Sequence, residues 1–252
     1  MKLCRIITAM IGLGLPFMLA QAQAAEIKFL ASNALKSVLE EVAPQFEKTS
    51  GHKLAITFGS TGGLTASIDK GTPFDLTIVG ASALDDLIKQ GKLVAATRTV
   101  IARSGIGVAY RKGAPKPDIS TSAALKAALL AAKSISFNTQ GLSGSHMLTV
   151  IDNMGIGAQV RPKVTVPPVS AAEDVAKGVA ELGMTQVSEI LPHAEEGAEL
   201  AGPLPPEVQL YTSFAIAVGA KAQQPDAAKA LIGFLTSPAV VPVLKAKGLE
   251  PG

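Results

Sequence analysis

The sequence is poor in the side chains on which most enzyme and metal chemistry depends. It has one cysteine, no tryptophan, two tyrosines and three histidines in 252 residues. Cys4 precedes the apolar N-terminal run, so the chain beyond that run has no thiol for a disulfide. A lipid-acylated cysteine would follow such a run, not precede it. His52, His146 and His193 have neither i,i+4 spacing nor a thiolate partner, which leaves no transition-metal ligand set and no call for a metal or cofactor. Tyr110 and Tyr211 make no stacking platform, and no polybasic stripe accompanies them, so nucleic acid is not an expected partner.

What is present begins with an export label. Lys2 and Arg5 form a short basic start, Ile6 to Ala20 is an apolar run, and Ala22-Gln23-Ala24 is a small-x-small cleavage site. The run, broken by Gly12, Gly14 and Pro16, falls short of the roughly 20 apolar residues that a membrane-spanning helix needs. Residues 1–24 are therefore expected to be a cleaved signal peptide, with the exported chain starting at Ala25. The formal charge of +3 then falls to +1, from 21 basic and 20 acidic residues. About 228 residues remain, enough for one large α/β domain or two smaller lobes with cores of their own.

Strand and helix patterns alternate. Glu26 to Ala31 is an apolar strand pattern that stops at Ser32-Asn33. Leu35, Val38, Leu39, Val42 and Phe46 recur at helical spacing, and Gly51 ends that segment. Lys53 to Phe58 alternates as a second strand, Gly59 to Gly63 opens another helical segment, and Leu76 to Gly80 is a third strand before a helix around Ala83 to Gln90. This rhythm predicts a parallel sheet with covered faces. Thr97 to Tyr110 is long enough to pass from one lobe to another. A second set follows: a strand at Ile135 to Phe137, a Gly/Ser-rich loop from Asn138 to Ser145, a helix from about His146 to Met154, and a strand at Lys163 to Val166. Ser170 and Glu173 form a capping box. Leu182 to Val187 closes the second set, Val208 to Val218 can return to the first lobe, and Pro225 to Leu235 forms a C-terminal helix. The expected lobes are residues 25–104 with 211–252, and residues 105–210.

Three loops stand at equivalent points, each between an apolar strand and the start of a helix: Ser32-Asn33, Gly59 to Gly63, and Gly141 to Ser145. A helix start offers unpaired N–H groups and partial positive charge, so small hydroxyl residues there can hold an anion without Lys or Arg. The same residues are also ordinary caps and turn formers. Gly141-Leu142-Ser143-Gly144-Ser145 lacks the fifth-position glycine of a hydrolase nucleophile elbow, and Gly59 to Gly63 lacks the Gly-Lys-Ser/Thr ending of a phosphate loop.

The order of these motifs resembles the molybdate-binding family of periplasmic proteins that serve ABC importers, over about Ile27 to Pro251. The resemblance is carried by Phe29 to Leu35, Pro44-Gln45-Phe46-Glu47, Phe58 to Leu64, and Gly71-Thr72-Pro73-Phe74-Asp75-Leu76. Ala172-Glu173-Asp174-Val175, Leu182-Gly183-Met184 and Lys245 to Pro251 extend it. It implies an α/β fold of the type 2 periplasmic binding protein class, with two lobes and a ligand cleft between them. It also implies a monomer in the periplasm that binds a small oxyanion of the molybdate or tungstate kind, delivers it to an ABC permease, and catalyses nothing; the alternative on the same scaffold is a small organic carboxylate, bound for uptake or sensing. Carried over by position, the first-loop hydroxyl falls at Ala34 or, with a shift of one or two residues, at Asn33 or Ser32; the remaining ligand residues are Ser60, Thr61, Ser143, Val175 and Gln186. Molybdate binders have a tyrosine where this sequence has Gln186, whose amide both donates and accepts and so suits a small carboxylate at least as well as a tetrahedral oxyanion. Asp75 is expected to fix a turn or cap. Thr61→Ala is expected to weaken binding while leaving the unliganded stability almost unchanged.

Overall fold

The computed structural model describes residues 24–252; the expected signal peptide, but for Ala24, lies outside the described residues. The first set of elements is β1 (Glu26–Ser32), α1 (Lys36–Ser50), β2 (Lys53–Gly59), α2 (Thr61–Asp69), β3 (Leu76–Gly80), α3 (Ala81–Lys89) and the long β4 (Thr99–Arg111). Next come α4 (Ser122–Ala131), β5 (Ile135–Ser136), α5 (Leu142–Asn153), α6 (Gly157–Val160), β6 (Val164–Thr165), α7 (Ala171–Ala176), β7 (Leu182–Gln186), α8 (Val187–Ile190) and β8 (Ala198–Pro203). The chain closes with β9 (Tyr211–Val218), α9 (Pro225–Leu235), α10 (Val241–Ala246) and β10 (Glu250–Pro251).

The fold is two-lobed α/β. In the first lobe β2, β1 and β3 run parallel, β9 joins β3 antiparallel, and the first half of β4 pairs with β9. All five residues of β3 are buried, as expected for a central strand with helices over both faces. One face packs against α1, α9 and α10 around Phe29, Leu39, Phe46 and Leu231; the other packs against α2 and α3 around Leu64, Val79 and Leu84. In the second lobe, β4 from Ile106 onward pairs with β7 and β8, and β5 lies between β7 and β6. Its larger core gathers Val108, Leu125, Phe137, Met147 and Met184.

β4 thus belongs to both lobes. Where it crosses, the Gln209 side chain stands in for a neighbouring strand: its Oε1 accepts from Ile106 N at 2.8 Å and its Nε2 donates to Ile106 O at 3.0 Å. Gly105 lies beneath it, where a Cβ would meet Gln209 and Tyr211 at 3.2 Å.

Two boundaries differ from the sequence reading for identifiable reasons. α5 starts at Leu142, not near His146. Its first turn presses so closely on Asn138 that a Cβ on Gly144 would sit 1.9 Å from the Asn138 carbonyl oxygen, so the glycine that reads as loop composition permits close packing within a helix. β9 starts at Tyr211, not Val208, because Pro205 and Pro206 lead into a 3-10 turn at Pro206–Val208. α4, α6, α8, β8, α10 and β10 have no counterpart in the sequence reading.

Asp75 ties the first lobe together. Its Oδ2 accepts from Lys28 N at 2.9 Å, and its Oδ1 accepts from Gln223 N at 2.6 Å and Gln224 N at 2.9 Å. Asp75→Ala strands these donors at the junction of β1, β3 and the start of α9. At 1–3 kcal/mol for a buried donor left unpaired, it should cost about 3 kcal/mol in denaturant unfolding. Ligand affinity should stay as in the wild type, whereas lost affinity at unchanged stability would make Asp75 a ligand residue.

Candidate functional site

Helix starts from both lobes converge on one cavity of about 50 Å³. From the first lobe come Ser32 and Asn33 at the end of β1, Ser60 and Thr61 at the start of α2, and Phe214 of β9. From the second come Asn138, the first turn of α5 at Leu142 and Ser143, Ser170 and Ala171 at the start of α7, and Thr185, Gln186 and Glu189 along β7 and α8. Lysine and arginine are absent from the described residues that line it. The lobes meet around it: a Cβ on Gly80 would lie 2.5 Å from Leu142 Cδ1, and one on Gly62 would lie 3.1 Å from the Gln140 carbonyl oxygen.

The hydroxyl groups have a common arrangement. Ser32 Oγ accepts from Ala34 N at 3.4 Å, Ser60 Oγ from Gly63 N at 3.1 Å, Thr61 Oγ1 from Gly80 N at 3.1 Å, and Ser170 Oγ from Glu173 N at 3.1 Å. With backbone N–H groups taking up the oxygens, each hydroxyl keeps one O–H to donate. First-turn N–H groups such as those of Leu142, Ser143, Ala171 and Ala172 have no partner one turn earlier. A cavity supplied in this way attracts negative charge through neutral donors and helix ends.

Two groups in the wall accept. Gln186 Nε2 donates to Thr212 Oγ1 at 3.1 Å, and Gln186 Oε1 is buried with no hydrogen-bond partner among the described residues. Because the Thr212 hydroxyl can also donate, the amide can turn and present its Nε2 instead. Glu189 is partly buried and accepts a hydrogen bond from Thr185 Oγ1. Loss of solvent raises its pKa above the ordinary glutamate range, opposed by the Thr185 hydrogen bond and the nearby His193. On the outer side a groove of about 520 Å³ shares Asn33, Ser60, Asn138, Ser170 and Glu189 with the cavity.

Of the residues singled out in the sequence, Ser32, Asn33, Ser60, Thr61, Ser143 and Gln186 border the cavity. Val175 does not. It is the fifth residue of α7 and fully buried against Ala109, Ala172, Ala180 and Ile190, and only the first turn of a helix has free N–H groups. The donors of that helix are at Ala171 and Ala172. Asn138, Ser170, Thr185 and Glu189 were not anticipated as site residues. Ser170 carried a usable signal, since it sits at a strand-to-helix junction like the three loops. Glu189 is signalled only by lying four residues after Thr185.

The Thr61–Gly80 bond also overturns the expectation that Thr61 matters to ligand alone. Thr61→Ala should lower unliganded stability by about 1–3 kcal/mol, because a buried N–H loses its acceptor, and weaken ligand binding about 10- to 100-fold. Thr61→Ser should retain both properties, as read by denaturant unfolding and calorimetry. Glu189 makes a separate pH-dependent contribution. The folded chain holds its proton where the unfolded chain has released it, so wild-type stability should fall as pH rises from the ordinary glutamate range to the raised pKa. The difference in stability between wild type and Glu189→Gln should change over that window; a constant difference would contradict the assignment.

Residues 27–250 match the family described as bacterial extracellular solute-binding protein. A protein named aconitate isomerase from Pseudomonas sp is 32% identical over 243 residues, covering 93% of this chain and 91% of that protein. The molybdate-binding protein ModA of Azotobacter vinelandii is 26% identical over 241 residues, covering 94% and 95%. The solved periplasmic molybdate-binding protein of Azotobacter vinelandii superposes with a TM-score of 0.74 at 22% identity, covering 90% of this chain and 99% of that one. With its two lobes and a cavity between them, the chain belongs to the bacterial extracellular solute-binding protein family.

Proposed function

We propose that this chain is an exported, monomeric solute-binding protein that captures a small organic carboxylate between its lobes and delivers it to an ABC permease. The lobes would be residues 25–104 with 211–252, and residues 105–210, hinged where β4 and the segment before β9 cross. The observation that carries the choice of ligand is the pairing of neutral donors with two acceptors, Gln186 and Glu189, in one wall. A fully ionised tetrahedral oxyanion surrounded on all sides would face the Glu189 carboxyl and would need the Gln186 amide turned to present its Nε2. A carboxylate places its charge at one end, so its oxygens can lie against the helix starts while the carbon skeleton runs past Gln186 and Glu189 into the adjoining groove.

The cavity size supports the same division. At roughly 10–15 Å³ of such volume per water position, about 50 Å³ holds a carboxylate group or one small oxyanion. A di- or tricarboxylate would need the groove as well. The relative named aconitate isomerase adds support for an organic acid with several carboxylates. The relative named for molybdate supports the other ligand, and Gln186 in place of the tyrosine of that family argues against it here.

A thermal-shift and calorimetric panel of aconitate, citrate, glutaconate, molybdate, tungstate, sulfate and phosphate tests the proposal, since a ligand that binds only the folded state raises its melting point. Carboxylates should raise the melting point and the metal oxyanions should not; the reverse order would overturn the ligand assignment. Gln186→Tyr should move the rank order toward molybdate and tungstate by removing the acceptor and narrowing the wall. An unchanged rank order would show that Gln186 does not select the ligand.

A further inference from the structure

We infer that Glu189 moves a proton on and off carbon in an unsaturated carboxylate held in this cavity, so that the site isomerises its ligand as well as binding it. The inference rests on the carboxylate reading above. Among the described residues, Glu189 is the one titratable side chain lining the cavity. It has no lysine or arginine partner within ion-pair distance among them, and its carboxyl is held by Thr185 alone. For simple capture of an anion this is a poor arrangement, because an unpaired carboxyl in the wall opposes the ligand's charge, and a glutamine would bind as well without that cost. A proton carrier is where such a group has a use.

The rest of the wall supplies what the chemistry needs. Removing a proton from a CH2 beside a carboxylate pushes charge onto the carboxylate oxygens, and fixed donors aimed there stabilise it as it develops. Here those donors are the Thr61 hydroxyl and the first-turn N–H groups at Leu142 and Ser143. A saturated carboxylate is too weak a carbon acid for a glutamate base, so the CH2 must also neighbour a double bond. In the step, the C–H bond breaks, a Glu189 carboxylate oxygen takes the proton, and the electron pair spreads into a dienolate. Glu189 then returns the proton to the far alkene carbon, and the double bond has moved by one carbon. Nothing is oxidised or reduced and no group leaves, so the product is an isomer of the substrate. One carboxyl serves both directions, which matches one carboxyl in the cavity.

Burial also raises the Glu189 pKa above the ordinary glutamate range, the direction in which a carboxylate becomes a stronger base. The other charged or titratable groups near it line the outer groove: Lys36, Glu40, Glu173, His193 and Glu196. Glu173 is paired with Lys177, and His193 with Glu196.

Glutaconate and aconitate in D2O are the probes, with deuterium incorporation at carbon and change of isomer followed by proton NMR and binding by calorimetry. Wild type should bind at least one probe and exchange its allylic protons. Glu189→Gln should bind that probe within about tenfold and lose about 10²–10⁴-fold in exchange rate, the usual contribution of a positioned acid or base. Glu189→Asp should retain part of the exchange, and it serves as the test if the glutamine variant does not fold. Thr185→Val should shift the pH profile of exchange upward by removing the hydrogen bond that favours the carboxylate. Binding without exchange in wild type overturns the inference and leaves capture standing, as does unchanged exchange in Glu189→Gln. Failure to bind any unsaturated carboxylate overturns the inference, and failure to bind citrate as well removes the underlying reading with it.

Discussion

The unpaired backbone N–H groups at the starts of helices are the constraint on which this structure depends. A helix start buried between two lobes needs acceptors, and here several starts face the same small space with no lysine or arginine in its lining among the described residues. In the proposed function an anion is the partner that would satisfy them together. In the proposed complex the cost of burying charge would be met by many neutral donors and not by a counter-ion.

The cap hydroxyls connect fold to site. Ser32, Ser60 and Ser170 each stand just before a helix or 3-10 turn, accept a backbone N–H of that helix or turn, and keep a proton to donate. Thr61 does the same for Gly80, which lies across the sheet at the end of β3. Gly80 in turn faces Leu142 of the other lobe. A single hydroxyl is therefore part of a helix start, a sheet end and a lobe contact at once. Stability and ligand affinity cannot be separated at that position, whereas at Asp75, remote from the cavity, they can.

Much of this was legible in the sequence because it follows from period and punctuation. Leu35 to Phe46 at helical spacing, the buried run Leu76 to Gly80 and the terminator Gly51 each specify an element by local rules. The three Ser/Thr/Gly junctions pointed to the cavity for the same reason. Val175 was misplaced because positional carry-over counted along a motif, while a free N–H depends on where the helix begins, which Ser170 decides. Gly144 misled because its role is close approach to Asn138, a contact that composition reads as looseness. Glu189 and Asn138 were missed because nothing local marks them: their roles arise from how one lobe sits against the other.

The family match accounts for the lobes and the cleft, and the departures within the cavity account for this chain's own chemistry. Glu189 puts an unpaired carboxyl in the wall, and Gln186 an amide that can present either end. The central claim is that a carboxylate group is held by helix starts from both lobes, and a crystal structure of the protein with a bound unsaturated carboxylate tests it most directly. The account predicts one ligand carboxylate within hydrogen-bond distance, roughly 2.7–3.2 Å, of the Thr61 hydroxyl and the Ser143 N–H together, with the carbon skeleton passing Glu189. A ligand held by one lobe alone, or by lysine or arginine outside this cavity, would contradict it.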